Sequence, residues 1–339
     1  MVEIATPSII INVYESNFIS EIKKISMYLK SYPYIGMDTE FPGQVYPLET
    51  FTNNFYYKFI KLNVDKLNLI QLGITLFNEK GEKFKCWQFN LKFSINSDIH
   101  SNESILMLSN CGIDFLKLKN NGIPYNLFAE YFISSGLVLN EDITYISFNG
   151  FTDFAYLLKL CLNLNLPENE DEFINTLNLY FPNYYDIKIL SNLIDNLKGG
   201  LNKIAMQLGV QRYGEMHQAG SDSIITGDVF FQIKFHLNNL DKIIEKKNIL
   251  FGIGKGSNDE ETYQYTMFYN DSNFYENNNV NINNIIYNRF NNTCYDNFNN
   301  DNNCKNYFKS DDKVLQFIQK NGNFDSNHYN KYPWNMLFV

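Results

Sequence analysis

The sequence predicts an α/β domain over residues 1–256, followed by a low-complexity, Asn-rich extension over residues 257–339. Strand-like and helix-like segments alternate up to about Gly256, as they do where helices cover a sheet. Beyond Ser257 the composition shifts to Asn, Asp and Tyr, with no sustained apolar period. Such a tract buries too little apolar surface to offset the loss of chain entropy, so we expect it to be largely disordered.

The elements of the domain are predicted from their apolar periods and turn residues. Strands are expected at Ile9–Val13, Tyr34–Asp38, Leu69–Phe77, Phe84–Phe93 and Thr144–Phe148. Helices are expected at Ser104–Leu108, Leu127–Ser134, Phe154–Leu162, Leu201–Leu208 and Ser221–Leu237. Gly252, Gly254 and Gly256 follow no clear strand and lack P-loop spacing, so they indicate a flexible boundary instead of a nucleotide-binding loop.

Charge and cysteine usage narrow the class of protein. A formal net charge of −9 argues against a broad basic surface for nucleic acid, although cations bound in a cleft can reverse the local field. The five cysteines form no CxxC pair and only four histidines accompany them, so a structural zinc site is not expected. No apolar run approaches the roughly 18 residues that span a bilayer, so we expect a soluble protein without a membrane partner.

Asp38 and Glu40 lie in the segment Ile35–Phe41, which reads IGMDTEF. Residues two apart in a strand project from the same face, so the two carboxylates would stand side by side. Apolar neighbours on the other face indicate burial, and a buried pair of acids needs a cation, a shared proton or strong hydrogen bonds. The alternative is that the strand has already ended and both acids are solvated on a loop.

Two further acids and one histidine are candidates, each with an ordinary alternative. Asp222 shares a helix face with apolar residues, which turns it inward, although the helix dipole also favours an acid in a first turn. Asp153 precedes a buried helix, which it could simply cap. His217 lies in a polar segment five residues before Asp222, where a surface histidine often has no role. Together the carboxylates form an oxygen ligand set for two hard divalent cations, Mg²⁺ or Mn²⁺, with His217 beside them as a proton acceptor.

Short blocks of sequence carry a family resemblance over roughly Ile10 to Gly254. They are Met37–Gly43, Asn63–Asp65, Ile70–Gly73, Trp87–Asn90, Ser135–Val138, Leu157–Lys159, Tyr185–Lys188, Leu197–Leu201 and His217–Ser223. In order and spacing they resemble the DEDD exonuclease superfamily, histidine subtype, and within it the CAF/POP-type deadenylases, the ribonuclease subunit of the CCR–NOT complex. One block departs, because Asn149–Thr152 stands where relatives usually carry His-Ser-Gly-Tyr. Asp186 and Lys188 receive no role, and an ordinary surface pair is an equal interpretation.

The resemblance implies a ribonuclease-H-like fold with a mixed, kinked sheet flanked by helices. The implied activity is 3′→5′ exoribonuclease shortening of mRNA poly(A) tails with release of 5′-AMP. Its metal ligands fall on Asp38, Glu40, Asp153 and Asp222, and its general base falls on His217. Implied partners are single-stranded 3′ poly(A) RNA, a Not scaffold subunit and a leucine-rich-repeat deadenylase, in cytoplasm and nucleus. The alternatives are an exonuclease of other RNA or DNA ends, and an inactive nuclease fold that serves as a scaffold.

Overall fold

The computed structural model describes residues 10–46 and 54–258 of the chain. Its strands are β1 (Ile10–Val13), β2 (Tyr34–Glu40), β3 (Gln71–Phe77), β4 (Lys83–Asn90), β5 (Thr144–Ser147) and β6 (Tyr184–Asp186). They form one six-stranded sheet in the order β1-β4-β3-β2-β5-β6. β3 runs antiparallel to β2 and β4, whereas the other neighbouring strands are parallel. The mixed sheet expected from the sequence is therefore confirmed.

Helices flank this sheet within the described ranges. They are α1 (Glu15–Tyr28), α2 (Phe55–Lys66), α3 (Asn102–Asn110), α4 (Phe115–Asn121), α5 (Tyr125–Ser134), α6 (Phe151–Leu162), α7 (Glu170–Tyr180), α8 (Ile187–Ser191), α9 (Leu201–Gln207), α10 (Ala219–Leu237) and α11 (Leu240–Ile244). The sequence predicted α3, α5, α6, α9 and α10 to within a few residues at each end. It did not predict α1, α2, α4, α7, α8 or α11. Among the described residues, no helix offers an apolar stretch of bilayer-spanning length.

The central strand β2 is longer than predicted and contains both strand acids. β3 pairs with it along its whole length, so that Asp38 lies opposite Gly73 and Glu40 lies opposite Gln71. β5 pairs with its first three residues from the other side. Because this backbone pairing continues to Glu40, the alternative of two solvated acids on a loop is wrong.

Helix α10 lies directly on β2 and β3 because glycines leave room for its backbone. A Cβ atom added to Gly73 would lie 1.8 Å from the carbonyl oxygen of Ala219, and one added to Gly36 would lie 2.3 Å from that of Ser223. From the helix side, a Cβ at Gly227 would lie 2.1 Å from the ring of Phe77. Real Cβ atoms do not approach so closely, so this contact requires glycine.

Asp186 is fully buried, so its interpretation as part of a surface pair is wrong. Its Oδ1 accepts hydrogen bonds from the backbone N–H groups of Asn149 (2.8 Å) and Lys188 (2.9 Å). Its Oδ2 accepts from those of Gly150 (3.2 Å) and Phe251 (3.0 Å). Burial raises the pKa of Asp186, and these four donors oppose that shift. The carboxylate therefore ties the loop before α6 to the C-terminal segment of the core.

The segment after α11 packs on the core instead of forming a flexible boundary. Leu250, Phe251 and Ile253 are buried, and the N–H of Gly254 donates to Oε1 of Glu170 at 2.8 Å. The expected flexibility of the glycine-containing stretch is therefore wrong. The predicted extension, residues 257–339, lies outside the described residues after position 258, and the domain boundary stays a prediction.

Gly73→Ala should destabilise the domain by about 3 kcal/mol or more, since the added methyl group must push α10 away from the sheet. Urea unfolding of the purified protein measures this loss. Gly200→Ala is the matched control, because a Cβ at Gly200 meets no atom within 4 Å, and it should cost no more than about 1 kcal/mol. Equal urea midpoints for wild type and Gly73→Ala would contradict the close contact.

Candidate active site

The strand acids project from the face of β2 that carries α10. Glu40 is buried and Asp38 is half-buried. Gly36, two residues before Asp38, touches α10 on this same face, which fixes the direction of the alternation. The predicted side-by-side placement of the two carboxylates is therefore what the strand geometry produces.

Asp222 reaches the strand acids from the first turn of α10. It is 8% exposed, so its side chain is turned inward. It also lies in the first turn of the helix, where the helix dipole favours an acid, so both interpretations of Asp222 hold. Its Oδ1 accepts a hydrogen bond from Nη1 of Arg212 at 2.5 Å. Its Oδ2 accepts one from the backbone N–H of His217 at 3.0 Å. Both carboxylate oxygens are thus oriented by the segment that leads into the helix.

His217 joins Glu40 and Asp222 in a compact group. One imidazole nitrogen and one oxygen from each carboxylate lie within 4.8 Å of one another. The backbone of His217 has a φ of +57°, in the left-handed region that a non-glycine residue adopts at a cost of about 1–2 kcal/mol. The hydrogen bond to Asp222 helps to stabilise this conformation. His217 therefore lies beside two of the predicted ligands, and its role stays a prediction.

Asp153 does not cap α6, contrary to the ordinary interpretation. The helix begins at Phe151 with Gly150 at its N-cap, which places Asp153 in the first turn. Its buried side chain accepts a hydrogen bond from the hydroxyl of Thr39. Burial raises the pKa of Asp153 to about 7, the Thr39 hydrogen bond opposes the shift and the charge of Asp186 adds to it. Asp153 and Asp38 both lie outside the compact group formed by His217, Glu40 and Asp222.

The four acids nevertheless act on one another electrostatically. Burial raises the pKa of Asp38 and of Glu40 well above the usual range, and the charges of Asp222 and Asp153 raise both further. The Arg212 guanidinium opposes this shift at Asp38. Buried oxygen donors that repel one another and have little compensating positive charge suit hard divalent cations. The residues present therefore fit the expected metal ions.

Arg212 is a site residue that the sequence interpretation missed. Besides Asp222, its guanidinium donates to Oγ of Ser221 at 2.9 Å and, through Nε, to Oδ1 of Asn202 at 3.0 Å. A signal was available, because only two of the 28 basic residues in the chain are arginines. An arginine fork binds carboxylates in a fixed geometry that lysine does not provide. Because Arg212 lies five residues before His217 in the sequence, its partner could be sought among the predicted acids.

Acids lie at the end of the central strand of a mixed sheet, in the first turn of α6 and, with a histidine, at the start of α10. This is the arrangement expected of an exonuclease of the histidine DEDD type. A family model described as CAF1 family ribonuclease matches residues 13–131 and 135–230. The chain belongs to this family. Its expected fold class and ribonuclease activity are thereby confirmed.

Individual relatives agree with that membership. CCR4-NOT transcription complex subunit 7 of Caenorhabditis elegans is 45% identical over 233 residues, which are 66% of this chain and 75% of the relative. The structure of S. pombe Pop2p in its Mg²⁺- and Mn²⁺-bound form is 40% identical with a TM-score of 0.69, covering 73% of this chain and 100% of Pop2p. A structure of the yeast NOT1 MIF4G domain co-crystallized with CAF1 is 26% identical with a TM-score of 0.61, covering 71% of this chain and 96% of its match.

The metal-free protein should lose stability as the pH rises from about 4 to about 7. The raised pKa of Asp153, about 7, means that the native state holds a proton which the unfolded chain has already released. The stabilisation of the native state by the protonated Asp153 carboxyl is therefore complete at low pH and is lost above pH 7. Thermal unfolding in EDTA across this range measures the fall.

Asp153→Asn should make that fall smaller, because the amide does not titrate, whereas Asp38 and Glu40, whose pKa values are also raised, still do. Asp195→Asn, at an exposed position, is the control and should leave the wild-type curve unchanged. A fall of the same size in all three proteins would show that the pKa of Asp153 is not raised.

Proposed function

We propose that this chain shortens the poly(A) tails of mRNA from the 3′ end, releasing 5′-AMP, as the catalytic subunit of a CCR4-NOT complex. The observation that carries the proposal is the group formed by His217, Glu40 and Asp222, whose nitrogen and oxygen atoms lie within 4.8 Å of one another. Two further acids share its electrostatic environment. Membership in the CAF1 ribonuclease family supports the substrate class.

Asp38, Glu40, Asp153 and Asp222 would hold two divalent cations, Mg²⁺ or Mn²⁺. When bound, such cations supply Lewis-acid stabilisation of the charge that builds up on the attacking and leaving oxygens of a phosphodiester. The protein's own part is to hold the ligands in place before the substrate arrives. Thr39 orients Asp153 from β2, and the turn before α10 orients Asp222.

His217 accepts the proton of the attacking water in this proposal. Imidazole exchanges a proton readily near neutral pH, and the side chain is only half-buried, so that water has access to it. Its backbone is bound to Asp222, which keeps the ring beside the carboxylates. His217 thus removes a proton at the place where the ligands converge.

The proposed partners follow from the relatives. A Not scaffold subunit is proposed because a similar yeast CAF1 was co-crystallized with the NOT1 MIF4G domain. Single-stranded 3′ poly(A) RNA and a leucine-rich-repeat deadenylase are proposed from the family resemblance alone. Work within such a complex would place the chain in both cytoplasm and nucleus.

The wild-type protein should digest oligo(A) faster than oligo(U), oligo(C) or DNA of equal length, with Mg²⁺ or Mn²⁺ and with 5′-AMP as product. Asp38→Ala should reduce the rate by several orders of magnitude, because it removes a proposed metal ligand on which the other three acids act electrostatically. Asp195→Ala, at an exposed position, is the control. Timed gel analysis of the 3′ ends measures all four substrates. Equal digestion of DNA would favour a different exonuclease, and no digestion of any substrate would favour a scaffold.

His217→Ala should lower kcat by about 10²–10⁴-fold, the usual contribution of a positioned proton acceptor. KM for RNA and the affinity for Mn²⁺ should change little, since the carboxylates supply the ligands. The rate of the variant should rise more steeply with pH, because hydroxide must replace the missing base. His236→Ala, on the exposed surface of the same helix α10, is the control. Full recovery of His217→Ala in excess Mn²⁺ would instead make His217 a residue that organises the metal.

A further inference from the structure

A cluster of side-chain amides lies between the sheet and the start of α10. We call it the amide cluster; its members are Asn12, Gln71, Gln88, Asn90 and Gln218. Asn12 stands opposite Gln88 in the β1–β4 ladder, and Gln71 stands opposite Asn90 in the β3–β4 ladder. Gln71, Gln88 and Asn90 are buried, so each amide needs hydrogen-bond partners within the protein. The nuclease mechanism described above uses none of them.

Two glutamines of the sheet cap α10 from outside the helix. The first N–H groups of a helix have no partner within it, and Gln218, at the N-cap, makes no capping hydrogen bond with its own side chain. Instead, the backbone N–H of Ala219 donates to Oε1 of Gln71 at 3.3 Å. The backbone N–H of Gly220 donates to Oε1 of Gln88 at 2.9 Å. The sheet thereby fixes the first turn of the helix that carries Asp222.

The same two glutamines also hold the residue next to the histidine. Oε1 of Gln218 accepts from Nε2 of Gln88 at 2.9 Å and from Nε2 of Gln71 at 3.4 Å. Nε2 of Gln218 donates to the carbonyl oxygen of Cys111 at 2.7 Å. The amide of Gln218 is therefore bound through both of its ends. His217 directly precedes this anchored residue, and its own backbone N–H donates to Asp222. The backbone of His217 is therefore held from both sides.

We propose that Gln71, Gln88 and Gln218 are positioning residues for His217. The left-handed φ of His217 is unfavourable for a side chain that carries a Cβ, so the turn keeps it only if contacts on both sides enforce it. The amide cluster supplies those contacts on the C-terminal side. It acts through His217 and not on the substrate, and the inference rests on the proposed role of His217 as the base.

Gln71 adds a second link between the ligands and the turn. It stands directly opposite Glu40 in the β2–β3 ladder, so its side chain rises from the sheet beside that acid. Its Oε1 accepts a hydrogen bond from the backbone N–H of Ala219. Its Nε2 donates one to Oδ1 of Asn90 at 2.9 Å. Gln71 thus links β3, which pairs with the strand of Glu40, to the start of α10 just after His217.

A double-mutant cycle separates positioning from general stabilisation. Gln218→Met keeps the length of the side chain but removes its hydrogen bonds, and it should lower kcat by about 10–100-fold with KM nearly unchanged. Combined with His217→Ala, it should cause no further loss, since there is no longer a ring to position. Losses that multiply in the double variant would overturn the proposal.

Thr75→Val is the matched control for loosening of the same interface. Oγ1 of Thr75 lies 2.7 Å from Oγ of Ser223, one turn further along α10 and outside the amide cluster. The variant should lower the melting temperature but keep the wild-type kcat. A loss of kcat equal to that of Gln218→Met would show that any loosening of the helix slows the enzyme, and would overturn the proposal.

Amide hydrogen exchange in the full-length protein without added metal tests the anchoring without an activity assay. Gln88→Met should speed exchange at Gly220 by about tenfold or more, because its acceptor is lost, and Gln218→Met should do so at neighbouring positions of the turn. Unchanged exchange in both variants would overturn the anchoring. A wild-type rate of RNA hydrolysis in His217→Ala would instead overturn the proposed role of His217 as the base. Failure of the anchoring and failure of the base are therefore distinguishable.

Discussion

The contact between the backbone of α10 and the central strands is the constraint on which the rest of the site depends. Gly36 and Gly73 provide it on the sheet, and Gly227 provides it on the helix. A metal site tolerates ligand displacements of only about 0.2 Å. Even a partial withdrawal of α10 would therefore separate Asp222 from the strand acids. The three glycines are thus required for Asp222 to lie close to Asp38 and Glu40.

The assembled site is electrostatically unfavourable in itself. Asp38 and Glu40 are held where burial and neighbouring acids disfavour their charged forms. The protein offsets this locally with the Arg212 guanidinium and with backbone and hydroxyl donors, instead of with a basic surface. The negative charge of the whole chain is therefore compatible with a nuclease, since the relevant charge is that of the acids at the site and of the cations that they fit.

The sequence predicted which acids lie near one another better than the limits of the elements that hold them. The spacing of Asp38 and Glu40 predicts a shared face because strand geometry is local. The strand continues to Glu40 only because β3 pairs with it, and that pairing involves residues far along the chain. The start of α6 and the burial of Asp186 depend on similar distant contacts. Gln71 and Gln88 are ordinary strand residues until α10 is placed above them, so no local pattern distinguishes their role.

The late position of α10 has a consequence for the protein during its synthesis. Asp38 and Glu40 lie early in the chain, whereas His217 and Asp222 come near the end of the core. At about 5–20 residues per second, the strand acids leave the ribosome roughly 10–40 s before Asp222 does. A nascent chain that has reached only α6 has three of the acids but not the helix that completes the site. The site therefore stays incomplete until α10 has emerged from the ribosome.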